Sequence, residues 1–342
     1  MKKMVNTVLG PVDVNKLGKT LMHEHFWFAY PGYSGNTLYV NDREELVKTG
    51  LEIAAKAKAH GVQTIVDATA NDTGREPELL KEIAERAELN IICATGYYYE
   101  GEGASHYFKF KQVLGQGEEE LYELLMSEIT EGIGKTGIKP GVIKLGTSKD
   151  QITPYEEMFI KVSGKVQRDT GIPIITHTER GTMGPEQAQM LVSAGANPCQ
   201  VMVGHMDGNM DISYHKRVLE KGVFSAFDRF GIQDFVGCPM DEDRISVLIG
   251  LIGSGYVNQI MMAHDTVNVW LGKPVVWPEQ MKKKLEKWHI GHIFENIIPA
   301  LKEGGVTEEQ INTILVDNPK RLFTGDPVEK RDYALQNNIR KF

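Results

Sequence analysis

The stretch TIVDATANDTGREPELLKEIAERAELNIICATGYY, Thr64 to Tyr98, reads as strand, helix, strand. Its ends, TIVDATA (64–70) and NIICATGYY (90–98), are short apolar runs with β-branched residues. EPELLKEIAERAEL between them repeats apolar residues three and four apart, the period of a helix with one buried face. The same unit recurs in both directions. TLMHEH (20–25) precedes it, and GVIKLGTS (141–148), PIITHTE (173–179), VMVGHMD (201–207), VFSAFDRFG (223–231) and QIMMAHDT (259–266) follow, making eight strand candidates. REELVKTGLEIAAKAKAHG (43–61) and EEELYELLMSEITEGI (118–133) supply further helical patterns. TPYE marks a helix start, with Thr153 as N-cap, Pro154 in the first turn and Glu156 closing a capping box. TEEQ at Thr307 begins an extra C-terminal helix in the same way. Eight alternating β and α units predict a single-domain (β/α)8 TIM barrel over residues 1–342, with the extra helix from about 307. A doubly wound open sheet is the rival, but no G-x-G-x-x-G follows the first strand and no phosphate-loop motif occurs.

Composition narrows the partners. With 41% hydrophobic and 25% charged residues over 342 positions, and 35 glycines not gathered in a linker, the chain is of globular type. A formal net charge of −8 without a lysine or arginine stripe argues against nucleic acid or an anionic membrane, leaving a small-molecule substrate. Cys93, Cys199 and Cys238 are far apart and form no C-x-x-C pair, so a reducing, cytoplasmic setting is expected. Met1-Lys2-Lys3 is not followed by a sustained apolar run, and no segment approaches the length of a membrane span.

In a barrel of this kind the chemistry lies at the C-terminal ends of the strands. His23 and His25, two apart on the first strand, share a face and point into the barrel mouth, while Glu24 points away. Two imidazoles held so form a metal chelate, although ordinary polar histidines would read the same. Later strands each add one candidate ligand: Lys144, His177, His205 and Asp265. Four histidines among six candidates favour a transition metal over magnesium or calcium. Lys144, inside a buried strand, has two readings. One is a buried ion pair with Glu179 or Asp265. The other is an amine whose pKa is lowered until it captures carbon dioxide and, as a carbamate, bridges two metals.

The succession HEH, VIKLG, IITH, VGH, HD and DNPKRLF, from about Thr20 to Phe323, resembles the phosphotriesterase family of the amidohydrolase superfamily, including its phosphotriesterase-like lactonases. That resemblance implies two divalent metal ions, zinc first with cobalt, manganese or iron as alternatives. It places one on His23, His25 and Asp265 and the other on His177 and His205, bridged by carboxylated Lys144 and a hydroxide. Asp265 would be metal ligand and proton acceptor, and with Lys144 forms the catalytic pair. A homodimer is also implied. Tyr98 after the third strand and Arg229 after the seventh resemble positions with which the lactonases meet the lactone. Their bland readings are a packed rim aromatic and a salt bridge to Asp228. Asp228 and His264 are possible relay residues. Trp270 and Trp277, with Trp27, Phe28, Tyr30 and Tyr33 of the first loop, suit an apolar substrate group. The expected function is a lactonase with promiscuous phosphotriesterase activity. Alternatives are a dedicated organophosphate hydrolase, a lactonase for phosphorylated sugar lactones using Arg229, Arg244 and Lys273 as a cationic cluster, and a metal-dependent binding protein without turnover.

Overall fold

The computed structural model describes residues 3–103 and 105–328. The ends of the expected 1–342 domain, residues 1–2 and 329–342, lie outside the described residues. An antiparallel hairpin, β1 (Met4–Thr7) and β2 (Gly10–Asp13), opens the chain; short strands around a glycine-containing turn had not been anticipated. Eight parallel strands follow in sequential order: β3 (Lys19–Glu24), β4 (Val62–Asp67), β5 (Asn90–Gly96), β6 (Val142–Thr147), β7 (Ile174–Thr178), β8 (Val201–Val203), β9 (Phe224–Phe227) and β10 (Ile260–Met262). The seam between β10 and β3 is bridged by the residues that follow β10, where Asp265 N donates to His23 O at 3.0 Å and Thr266 O accepts from His25 N at 2.8 Å. This is the expected (β/α)8 barrel.

Helices cross between the strands as the periodicity implies. Asp42 caps the helix Arg43–Ala59 by accepting from Glu44 N and Glu45 N. The Thr153–Glu156 capping box starts the helix Pro154–Thr170, and Thr307 with Gln310 closes another ahead of Glu308–Asn312. Beyond that, the chain continues through a π turn at Thr313–Asp317 into the helix Asn318–Thr324.

Inside the barrel Met22, Val66, Ile92, Val142, Ile175 and Met202 belong to one buried cluster. Val5, Val14 and Leu17 from the N-terminal segment, and Leu322 and Phe323 from the last helix, join it and close the floor. Leu21, Ile65 and Ile91 pack in the layer between strands and helices. Strict alternation from Leu21 would therefore turn His23 outward. A bulge prevents this: Leu21 pairs with Ile65 and Glu24 with Asp67, so β3 spends one more residue than β4 across the interval. Met22 and His23 consequently both face inward, the re-aiming of a side chain that such bulges produce.

All eight candidate strands end one to four residues sooner than expected, which leaves His25 just past β3, and the last three fall four residues short. β8 stops at Val203, β9 at Phe227 and β10 at Met262, so His205, Asp228 and Asp265 lie on the loops just past them. His205 (φ 57°) and Asp265 (φ 53°) are left-handed, which breaks the strand geometry and swings each side chain over the barrel axis. Gly204 makes room for that turn, since a Cβ there would come within 2.0 Å of Thr176 O.

Candidate metal centre

At the top of the barrel the six candidate ligands converge. His23, His25 and Asp265 present donor atoms within 4.8 Å of one another, as do His23, His205 and Asp228. The His23 and His205 rings stack at 4.8 Å between centroids, and His177 meets His205 edge-on at 4.6 Å. Lys144 Nζ lies 2.8 Å from His23 Nε2.

Each histidine has one ring nitrogen held by the protein and the other turned to the centre. Asp228 takes two of them, with Oδ2 2.7 Å from His23 Nδ1 and Oδ1 2.9 Å from His205 Nδ1. Its Oδ1 also accepts from His205 N at 2.7 Å. His25 Nδ1 lies 2.8 Å from Thr69 Oγ1, whose hydroxyl donates onward to Trp27 O, so the imidazole is the donor in this pair. His177 is reversed: Nε2 meets Glu179 Oε2 at 3.0 Å, leaving Nδ1 inward, 3.3 Å from the Tyr98 hydroxyl. A carboxylate or hydroxyl on the outer nitrogen fixes tautomer and ring orientation, the arrangement that supports metal-ligating histidines. The donor set, nitrogens and one carboxylate with an adjacent buried amine, fits two transition-metal ions.

Burial favours the neutral ring at His23, His177 and His205. Burial holds His23 and His205 below the usual imidazole range and pushes His177 down to about 4. Burial likewise lowers the Lys144 ammonium to about 8, against the pull of Asp265 and Asp228. Among the described residues Lys144 makes no ion pair, so the anticipated bridge to Glu179 or Asp265 does not form. Burial would raise Asp265, but His205, His23, His25 and Arg229 outweigh it and hold the carboxyl well below its ordinary value.

Above the ligands opens a cavity of about 590 Å³. His25, Asp265, Arg229 and Tyr98 contribute to its lining, with Phe28, Trp270 and Trp277 among its apolar residues. Tyr30, Tyr33, Glu102 and Glu179 also reach it. Burial keeps the Tyr98 phenol protonated well past its usual range.

Several expectations are corrected. Arg229 does not pair with Asp228; its Nε donates to Asp265 Oδ2 at 2.9 Å. His264 turns both ring nitrogens away from the cavity, Nδ1 meeting Glu24 Oε1 at 2.7 Å and Nε2 accepting from Ile293 N at 3.1 Å, the contacts of a structural residue. Asp228 has both oxygens engaged by candidate ligand histidines, Oδ2 by His23 and Oδ1 by His205, the arrangement of a group that orients them. Trp27 is buried and donates to Gly74 O at 2.9 Å instead of lining the mouth. Arg244 is fully buried, and exposed Lys273 does not line the cavity, so no cationic cluster forms. Sequence reasoning missed Thr69 and the orienting role of Glu179. The position of Glu179, two residues after His177, was the only cue, and Thr69 carried none. Glu24 was read only as pointing away; it ties the seam, accepting from His264 N, Thr266 N and Thr266 Oγ1.

Comparison with known proteins agrees with this geometry. The family model for the phosphotriesterase family matches residues 3–323. A phosphotriesterase homology protein of Mycobacterium tuberculosis is 33% identical over 93% of this chain and 97% of its own. The organophosphorus hydrolase of Deinococcus radiodurans is 50% identical, superposes with a TM-score of 0.92, and the match covers 94% of this chain and 97% of that one. A structure concerned with organophosphate hydrolysis engineered from a weak promiscuous lactonase template is 48% identical, with a TM-score of 0.92 over 94% of this chain and 99% of that one. With its candidate ligand positions gathered at the mouth of a matching barrel, the chain belongs to the phosphotriesterase family, a family of hydrolytic enzymes.

Proposed function

We propose that the protein is a binuclear metal-dependent hydrolase that opens lactones and acts more weakly on phosphotriesters. The supporting observation is the set of four histidines, each with its outer nitrogen fixed, converging with Asp265 and Lys144 beneath an apolar cavity. His23, His25 and Asp265 would hold one ion and His177 and His205 the other. Zinc is the first choice, with cobalt, manganese or iron as substitutes. Lys144, whose ammonium is lowered by burial to about 8, would add carbon dioxide through its neutral amine, releasing a proton, and the resulting carbamate would supply oxygen ligands. When bound, the two ions supply an electrophile for the carbonyl oxygen and acidify a water towards neutrality.

The protein's own groups do the rest. Asp265, kept ionised, is placed to accept a proton. The protonated Tyr98 hydroxyl donates a hydrogen bond towards the ester, and Arg229, anchored on Asp265, positions the ring. Phe28, Trp270 and Trp277 offer apolar surface for an acyl chain. The solved relative built on a promiscuous lactonase template supports the lactone preference. The Deinococcus organophosphorus hydrolase supports the second reading, a dedicated phosphotriesterase. A phosphorylated lactone is disfavoured because the two remaining cations of the supposed cluster, Arg244 and Lys273, are absent from the cavity.

A cytoplasmic homodimer completes the proposal. Three free cysteines support a reducing compartment. Among the described residues no helix is long and apolar enough to cross a membrane. The test is kcat/KM for an acyl lactone and an aryl phosphotriester, measured on one metal-loaded preparation. A lactone preference of tenfold or more is expected; a preference for the triester would assign the enzyme to organophosphates.

A further inference from the structure

Behind the substrate cavity lies a buried charge cluster that the reaction itself does not use. Arg244, in the helix Asp241–Gly253, is among the largest fully buried side chains of the protein. Its Nη1 donates to Arg229 O at 2.6 Å and to Asp207 Oδ2 at 3.0 Å. Nη2 donates to Ile232 O at 2.7 Å and to Asp241 Oδ1. The two aspartates bind the same loop with the oxygens that meet Arg244: Asp207 Oδ2 accepts from Arg229 N at 3.1 Å, and Asp241 Oδ1 from Gly231 N at 3.2 Å. His292 Nε2 holds the free oxygen of Asp241 at 2.8 Å. Four backbone groups of the segment 229–232 are thus clipped by a single arginine and its two counter-ions.

Stability alone is a poor reason for such a cluster. Asp207 Oδ1 and Arg244 Nε are buried without a hydrogen-bond partner, a desolvation penalty left uncompensated. Buried ion pairs of this kind are often replaceable by apolar side chains of similar volume without loss of stability. What the cluster does determine is where the backbone of Arg229 lies. From there the Arg229 side chain reaches Asp265 Oδ2 at 2.9 Å. We infer that Arg244, clamped by Asp207 and Asp241, is a positioning residue that sets the place of the Arg229 guanidinium and through it the preference for lactone over phosphotriester. The inference rests on Arg229 meeting the lactone, as in the proposed function.

A double-mutant cycle on the metal-loaded enzyme tests it, with the lactone-to-triester ratio of kcat/KM as readout. Arg229→Ala is expected to lower the ratio about tenfold. Arg244→Met should reproduce most of that loss, chiefly through a higher lactone KM, with two metals per chain retained. In the Arg229→Ala background, Arg244→Met should lower the ratio by less than threefold more, since residues acting through one another are non-additive. Arg244→Lys, with one ammonium for four acceptors, should recover part of the lactone KM. If Arg244→Met fails to fold by circular dichroism, Asp207→Asn takes its place in the same cycle. Additive losses, or an Arg244→Met enzyme with an unchanged ratio, would overturn the inference and leave the proposed function standing. An unchanged ratio in Arg229→Ala would overturn the inference together with the lactone contact assigned to Arg229, while the lactonase reading itself stands or falls on the paired rates of the unaltered enzyme.

Discussion

Asp228 shows how much a single side chain organises here. Fully buried, it holds the outer nitrogens of His23 and His205, one from each proposed metal set. Asp228→Asn preserves shape, but its amide has one oxygen for two imidazole N–H groups, so one ring loses its anchor. The expected result is a 10- to 100-fold weaker metal affinity, roughly the effect of losing an outer-shell partner, read by competition with a chelator. Unchanged affinity would mean that packing alone orients the rings. Lys144 makes a second case. Lys144→Ala should abolish hydrolysis, and short carboxylic acids added to the variant should restore part of it by replacing the bridging carboxylate. Full activity in the untreated variant would remove the carbamate from the account. At this scale the sequence was most legible for residues whose chemistry is their signature: His23, His25, Lys144, His177, His205 and Asp265 all come together. It was least legible for groups whose role depends on a partner distant in the chain. Arg229 finds Asp265, 36 residues on, rather than its neighbour Asp228, and Glu24 reaches His264 across 240 residues. No local spacing encodes either choice.

Elements were legible where they repeat and obscure where they are interrupted. All eight strands and the capped helices follow from period and turn chemistry. The Thr153 capping box is read directly from four residues, and its removal in Thr153→Ala should destabilise the fold by about 0.5–2 kcal/mol in denaturant titration. The lactone-to-triester ratio should stay fixed, because the cap lies on an outer helix. The strand ends were overestimated because apolar runs continue past the last ladder bond, while backbone turns at His205 and Asp265 redirect the chain. The bulge in β3 was equally hidden, since an H-x-H pattern looks the same on either face. Gly204 gives the sharpest test of these turns. Gly204→Ala would drive a Cβ to 2.0 Å from Thr176 O and 3.1 Å from Asp228 Oδ2, so loss of both stability and metal is expected. A stable, fully loaded Gly204→Ala enzyme would contradict the close approach on which the placement of His205 depends.

The whole molecule divides its work between two ends of one barrel. At the floor, the N-terminal segment and the last helix fill the interior with Val5, Leu17, Leu322 and Phe323. Phe323→Ala should therefore cost about 3–5 kcal/mol of stability, a typical loss for a buried phenylalanine, without altering which substrate is preferred. At the mouth, apolar walls surround the polar centre, and the substrate preference rests on those walls together with Tyr98 and Arg229. Tyr98→Phe should reduce lactone turnover more than phosphotriester turnover at equal metal content, by roughly tenfold if the lost hydrogen bond is worth about 1.4 kcal/mol. Beneath the expectations for activity lies the two-metal centre. An anomalous-difference map of crystals grown from fully active enzyme tests it most directly. The prediction is two peaks per chain, one among His23, His25 and Asp265 and one between His177 and His205, with density continuing past Lys144 Nζ between them. Fully active crystals without a peak at either position would contradict it.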